Sequence, residues 1–163
     1  MGKQQGIRPC QYGQVYGPIV SVSFPIAASI NFEPLSGKFV VIDSNNRVAL
    51  ATATSTNIIG WALAGDWTSN ATAGTDTVVV NLAKDAVYEL PLDAARTEAQ
   101  LKALVGETCD IIVTSDIMYA DYDASAIDVL EIMDYRYYGS AAGEQTLLCR
   151  MYLPNITTKG GVV

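Results

Sequence analysis

Between Asn57 and Asp93 apolar residues recur at every second position, in three runs parted by polar turns. The runs are IIGWALAGDW, DTVVVNL and AVYELPL; a Ser/Asn/Thr/Gly loop separates the first two, and Ala83-Lys84-Asp85 the last two. A period of two belongs to a pleated strand, whose side chains alternate between its faces. The pattern predicts that Ile59, Trp61, Leu63, Val78, Val80, Leu82, Tyr88, Leu90 and Leu92 share the inner faces and form much of the core. With burial worth about 25 cal/mol per Å², truncating Trp61 is expected to cost about 3–5 kcal/mol.

Upstream, KFVVID and RVALAT flank Ser44-Asn45-Asn46, a tripeptide suited to a hairpin turn. Downstream, Thr97 and Gln100 match a capping box, Leu101, Leu104 and Val105 make an apolar stripe, and Gly106 suits a C-terminal stop, which predicts one helix of about two turns. TCDIIVTS, IDVLEIMDYRYYG and QTLLCRMYL follow as further strand-like runs. Many short strands with turn signals and one helix predict a mainly β chain, a small β-barrel or sandwich.

Residues 1–36 differ from the rest. They hold Pro9, Pro18, Pro25 and Pro34, four of the six prolines, and four glycines, which disfavours helix and central strand alike. An extended N-terminal arm is expected there, followed by a β body over 37–155 and a flexible tail over 156–163. The arm carries Tyr12, Val15, Tyr16, Ile19, Val20, Val22, Phe24 and Ile26, which need cover, so it wraps its own domain or lies on a neighbour. Val20, Val22 and Phe24 alternate with Ser21 and Ser23, a strand-like stretch.

Half of the 163 residues are hydrophobic and 17% are charged, against about 25% in an average globular chain, so an oligomer is expected. Ten basic and seventeen acidic residues give a net charge of −7, which repels phosphate backbones and argues against nucleic acid as a partner. The longest apolar run, IIGWALAG, has eight residues, far short of a membrane helix, and a soluble chain is expected. Prolines and serines interrupt the stretch that imitates a signal peptide, and Gly6 stands where a myristoylation motif needs Ser or Thr. The two Asn-X-Thr sequons, at Asn70 and Asn155, matter only in a eukaryotic secretory route.

Candidate chemistry is sparse. No histidine occurs, which removes Ser-His-Asp and Cys-His nucleophile systems and the His-containing zinc sites. Cys10, Cys109 and Cys149 are far apart in sequence and read as buried thiols. The densest acidic stretch, Asp116, Asp121, Asp123, Asp128, Glu131 and Asp134, fails as an EF-hand because Ala126 and Ile132 stand where Gly and Glu are required. It reads as a solvated strand edge and loop. No cofactor, metal or catalytic residue is expected, and the chain reads as a non-enzyme. Nine tyrosines, three of them in Asp134-Tyr135-Arg136-Tyr137-Tyr138, serve either as interface anchors or as ordinary strand residues. Tyr12, Tyr16, Ile19, Phe24, Tyr135 and Tyr137 are the candidate interface residues.

An arm before the body, IIGWALAGDW, the loop TSNATAGTD, the pair VVVNL and AVYELPL, and the later short helix ahead of Gly106 occur in an order that resembles the capsid decoration, or cement, proteins of tailed bacteriophages. The resemblance covers roughly residues 37 to 113. It implies a small β-barrel, usually a homotrimer, bound to the major capsid protein on the exterior of the virion, where it clamps neighbouring capsomers. The longer C-terminal half departs from the compact members of that family. From a different class, a carbohydrate- or surface-binding β-sandwich module of a fibre or other virion appendage would use the tyrosines and the Asp116 to Asp134 stretch as its binding face.

Overall fold

The computed structural model describes residues 13–34, 36, 38–122 and 127–152. In chain order the strands are β1 (Gly13–Tyr16), β2 (Ser21–Pro25), β3 (Asn31–Phe32), β4 (Phe39–Ile42), β5 (Val48–Leu50), β6 (Gly60–Ala62), β7 (Trp67–Thr68), β8 (Thr77–Asn81) and β9 (Val87–Pro91). Helix α1 (Glu98–Leu104) comes next, then β10 (Thr108–Thr114), β11 (Ile117–Asp121), β12 (Leu130–Tyr137), a 3-10 turn (Ala142–Glu144) and β13 (Gln145–Met151). Six strands form one sheet in the order β1-β9-β13-β12-β10-β11, five form another in the order β2-β8-β6-β4-β5, and β3 pairs with β7. Every strand pairing is antiparallel.

The architecture is a β-sandwich, mainly β with a single helix, as the alternation predicts. No closed barrel forms among the described residues, although each sheet bends back on itself through one parallel bridge, Ile26 to Val48 and Leu92 to Ala120. Two apolar clusters fill the sandwich. The larger, between the two sheets, is built on Phe39, Trp61 and Tyr88 and continues through Leu90, Leu130, Ile132, Leu147 and Cys149. Trp61 stacks on Tyr88 at 4.6 Å and 10°, while Phe39 meets both rings edge-on at 4.9 and 5.4 Å, the geometries that ring quadrupoles favour. The smaller cluster, Ile26, Phe32, Val40, Val48, Ala62, Val78 and Val80, lies on the other face of the five-stranded sheet. Adjacent residues Phe39/Val40 and Trp61/Ala62 therefore face different clusters, the direct result of the two-residue period.

Local signals form the helix and one hairpin. The Thr97 backbone N–H donates to Gln100 Oε1 at 2.9 Å and the Gln100 N–H to Thr97 Oγ1 at 3.3 Å, which completes the capping box. Leu101 is buried and Leu104 half-buried, but Val105 is exposed, because it is the extended C-cap and lies outside the apolar stripe. Gly106, at φ +92°, turns the chain so that its N–H reaches Ile132 O. β4 and β5 form the expected hairpin, with Asp43 Oδ1 accepting from the N–H groups of Asn45 and Arg47.

Three expectations change. The run IIGWALAGDW is split: it is strand over Gly60–Ala62, then Lys38 Nζ holds Ala64 O at 2.6 Å as the chain leaves the sheet, and its last residue, Trp67, opens β7 and stacks on Phe32 at 5.7 Å. Of the nine core positions, Leu63 is consequently exposed, and Ile59 and Leu82 pack half-buried against the smaller cluster. An unforeseen strand, β11, occupies part of the acidic stretch and joins β10 through Ser115 and Asp116, both at positive φ (51° and 65°) as a primed two-residue turn requires.

Candidate docking surface

Residues 13–34 of the arm lie on their own body. β1 adds to the six-stranded sheet beside β9, and β2 to the five-stranded sheet beside β8, so one extended segment supplies an outer strand of each layer. Between the two strands the chain turns at Gly17, where φ is +106° and any Cβ would come within 2.7 Å of Ala86 Cα. Gln14 Nε2 braces this turn by donating to Gly17 O at 2.8 Å and Pro18 O at 3.1 Å.

Asn81, fully buried at the end of β8, latches the crossing. Its Oδ1 accepts the Val20 N–H at 2.9 Å and the Ala83 N–H at 3.0 Å. Its Nδ2 lies 2.8 Å from Gln14 Oε1, 3.0 Å from Tyr88 Oη and 3.2 Å from Pro18 O. Two hydrogens serve three acceptors, so one of these bonds is shared. A single amide thereby ties the arm to the aromatic centre of the core. Burial pushes the Tyr88 phenol up to about 12, while the Asn81 bond pulls it down, so the hydroxyl stays protonated at neutral pH.

Held in this way, the arm presents apolar side chains to solvent. Tyr16 is 51% exposed, Ile19 65%, Val20 53% and Val22 41%. No charged residue occurs from Pro9 to Phe32, in a chain of net charge −7. Exposed apolar residues next to one another on an uncharged strip mark a contact surface better than the same residues scattered singly.

The six residues singled out from sequence do not converge on one patch. Tyr16 and Ile19 flank the Gly17 turn on the exposed strip. Phe24 is half-buried against the smaller cluster. Tyr135 and Tyr137, on β12, are half-buried against the larger cluster and separated from β1 by β9 and β13. The Tyr135 hydroxyl lies 3.5 Å from Glu98 Oε1; partial desolvation, then that carboxylate, raises its pKa. Tyr12 lies outside the described residues. Val20 and Val22, read from sequence as arm residues that need cover, join the strip although they were not among those six; Asn81 was not singled out, and a lone Asn closing the apolar run VVVN was the available signal.

Several other buried polar groups have structural partners, whereas the buried Tyr122 hydroxyl has none among the described residues. Glu89, buried in β9, accepts the Thr146 hydroxyl at 2.8 Å and pairs with Arg136 at 3.1 Å. Lys38 is buried with its amine on Ala64 O; desolvation lowers its pKa and Asp66 partly restores it. The acidic stretch is dispersed: Asp116 sits in the β10–β11 turn, Glu131 pairs with Arg150 at 2.7 Å, and Asp134 accepts from the Tyr135 N–H. Asp123 lies outside the described residues, as does Cys10. No cluster of three or more metal-ligating side chains occurs among the described residues. Cys109 and Cys149 are both buried, on the strands flanking β12; contact with Cys149, then burial, holds the Cys109 thiol well above its usual pKa and protonated. Among the described residues no helix is long and apolar enough to cross a membrane. No protein-family model matches the chain, and no curated protein matches it either.

Proposed function

We propose that this chain is a structural protein of a tailed-phage virion that binds the exterior of the head, on the major capsid protein, and stabilises the capsid lattice without catalysing a reaction. The exposed apolar strip around Tyr16, Ile19 and Val20, fixed to a stiff sandwich by Asn81, is the observation that supports it. Covering those three side chains is worth on the order of 3–5 kcal/mol before association costs are subtracted, too little for tight attachment of one copy. Many copies on a repeating lattice multiply that contact, and a ligand that binds only the assembled lattice stabilises it by mass action. The half-buried packing of Tyr135 and Tyr137 draws them away from the sugar-binding alternative.

Adding the purified chain to expanded heads that lack it and following DNA release on heating tests the reading. The expected result is a saturable rise in the release temperature; heads that open at the same temperature with and without the chain contradict it.

A further inference from the structure

The outer edge of the five-stranded sheet suits a second copy of this chain. Leu82 N–H donates to Val20 O and Ile26 N–H to Asp76 O, and the β2–β8 register pairs Val22 with Val80 and Phe24 with Val78. In an antiparallel ladder hydrogen-bonded pairs alternate with non-bonded ones. Val20, Val22 and Phe24 therefore spend their backbone groups on β8, and Ser21 and Ser23 aim their N–H and C=O groups outward. At its far end this edge is taken by β5, where Ala27 N–H donates to Val48 O, and from Ser21 to Pro25 no strand of the described residues pairs with it. Pro25, also outward, offers only a carbonyl, so the open donors are those of Ser21 and Ser23.

We propose that two copies pair their β2 strands antiparallel about a two-fold axis, so that the five-stranded sheet runs on from one protomer into the other. Antiparallel pairing of one strand with itself is self-complementary: Ser21 and Ser23 give each partner the same donors and acceptors. The pairing also covers Val22, which is exposed because the sheet stops there. Charge and regularity together select this edge over the others. Copies of net charge −7 repel, yet residues 9–32 carry no charge, whereas β11 is bounded by Asp116 and Asp121 and β5 follows Arg47; β1, in the same uncharged segment, is interrupted by a register shift between Gln14 and Tyr16. A strand of five residues buries less than the roughly 1,200 Å² of a stable standard interface, so association is moderate and concentration-dependent. The inference goes beyond head binding and is read on the free chain, so either can fail alone.

Sedimentation velocity of the full chain from micromolar to near-millimolar concentration tests it. The expected result is a monomer–dimer equilibrium. Ser23→Pro deletes an outward N–H and leaves the ladder to β8 intact, so it should weaken dimerisation by about tenfold or more with an unchanged thermal melt. Val22→Lys, which sets like charges opposite each other across the two-fold, is the second variant and should do the same. A wild-type chain that stays monomeric throughout overturns the proposal, as does any oligomer, dimer or trimer, that withstands both substitutions.

Discussion

Replacing Asn81 by Leu keeps the branched shape of the side chain, at a larger volume, and removes every bond that Asn81 makes. Five groups then lose their partner: the N–H of Val20 and of Ala83, Gln14 Oε1, Pro18 O and Tyr88 Oη. They differ in access to water. Gln14 is half-buried and Pro18 and Val20 are exposed, so their groups can exchange Asn81 for solvent, but Ala83 and Tyr88 are buried and cannot. Each buried polar group left unsatisfied costs about 1–3 kcal/mol, so Asn81→Leu should lower unfolding stability by about 2–6 kcal/mol. Gln14→Ala leaves Asn81 Nδ2 with Tyr88 Oη and Pro18 O, its other lost bonds being exposed, and should cost about 1 kcal/mol. Urea unfolding measures both, and hydrogen exchange separates latch from core: the amides of Val20 and Val22 should lose protection in Asn81→Leu well before those of Leu90 and Leu147. A loss below about 1 kcal/mol, or an arm exchanging at its wild-type rate, would refute the assignment of Asn81 as the tie between arm and body.

Further expectations follow from single positions. A Cβ on Gly60 would lie 2.2 Å from Asn81 O, a backbone atom that cannot yield, so Gly60→Ala should abolish folding or cost more than about 3 kcal/mol, while Gly65→Ala, with open space around it, should be tolerated in the same melts. Arg136→Ala leaves the buried Glu89 carboxylate with Thr146 alone and should cost about 3 kcal/mol, against under about 1 kcal/mol for Arg150→Ala, whose pair with Glu131 is partly exposed. Because the Tyr88 phenol titrates near 12 when folded and near 10 when unfolded, its contribution to stability is complete below pH 10 and falls as the pH rises from there to about 12. Denaturant midpoints across that range should drop, and less steeply in Tyr88→Phe.

The parts of the fold visible in the sequence are those where local chemistry and tertiary packing agree. VVVNL and AVYELPL alternate because one face of each strand meets the aromatic centre, and the capping box at Thr97 works without help from the rest of the chain. IIGWALAGDW misled because its apolar pattern continues past Ala62, whereas its course is set by the distant Lys38, which captures Ala64 O. β11 was hidden among aspartates, and its turn places Ser and Asp in a conformation more often given to Gly or Asn. The alternation of Val20, Val22 and Phe24 with Ser21 and Ser23 was legible and forms β2, and the arm's prolines do not break it because Pro25 sits at an outward edge position where the ladder to β8 needs no donor. As for the docking surface, Tyr16 and Ile19 were legible from exposed-looking apolar residues in a Pro/Gly-rich context. Asn81 was not, since only the fold brings it to Gln14, 67 positions away.

The proposed role requires the chain to attach to assembled capsids through the strip at Tyr16 and Ile19. Co-sedimentation of the wild-type chain and of a Tyr16→Ala/Ile19→Ser double variant with expanded phage heads tests it most directly. The account predicts saturable binding by the wild type and a loss of about tenfold or more in affinity for the variant, which should keep its wild-type melting temperature because both side chains are half-exposed or more. A wild-type chain that stays in the supernatant, or a folded variant that binds equally well, would contradict it.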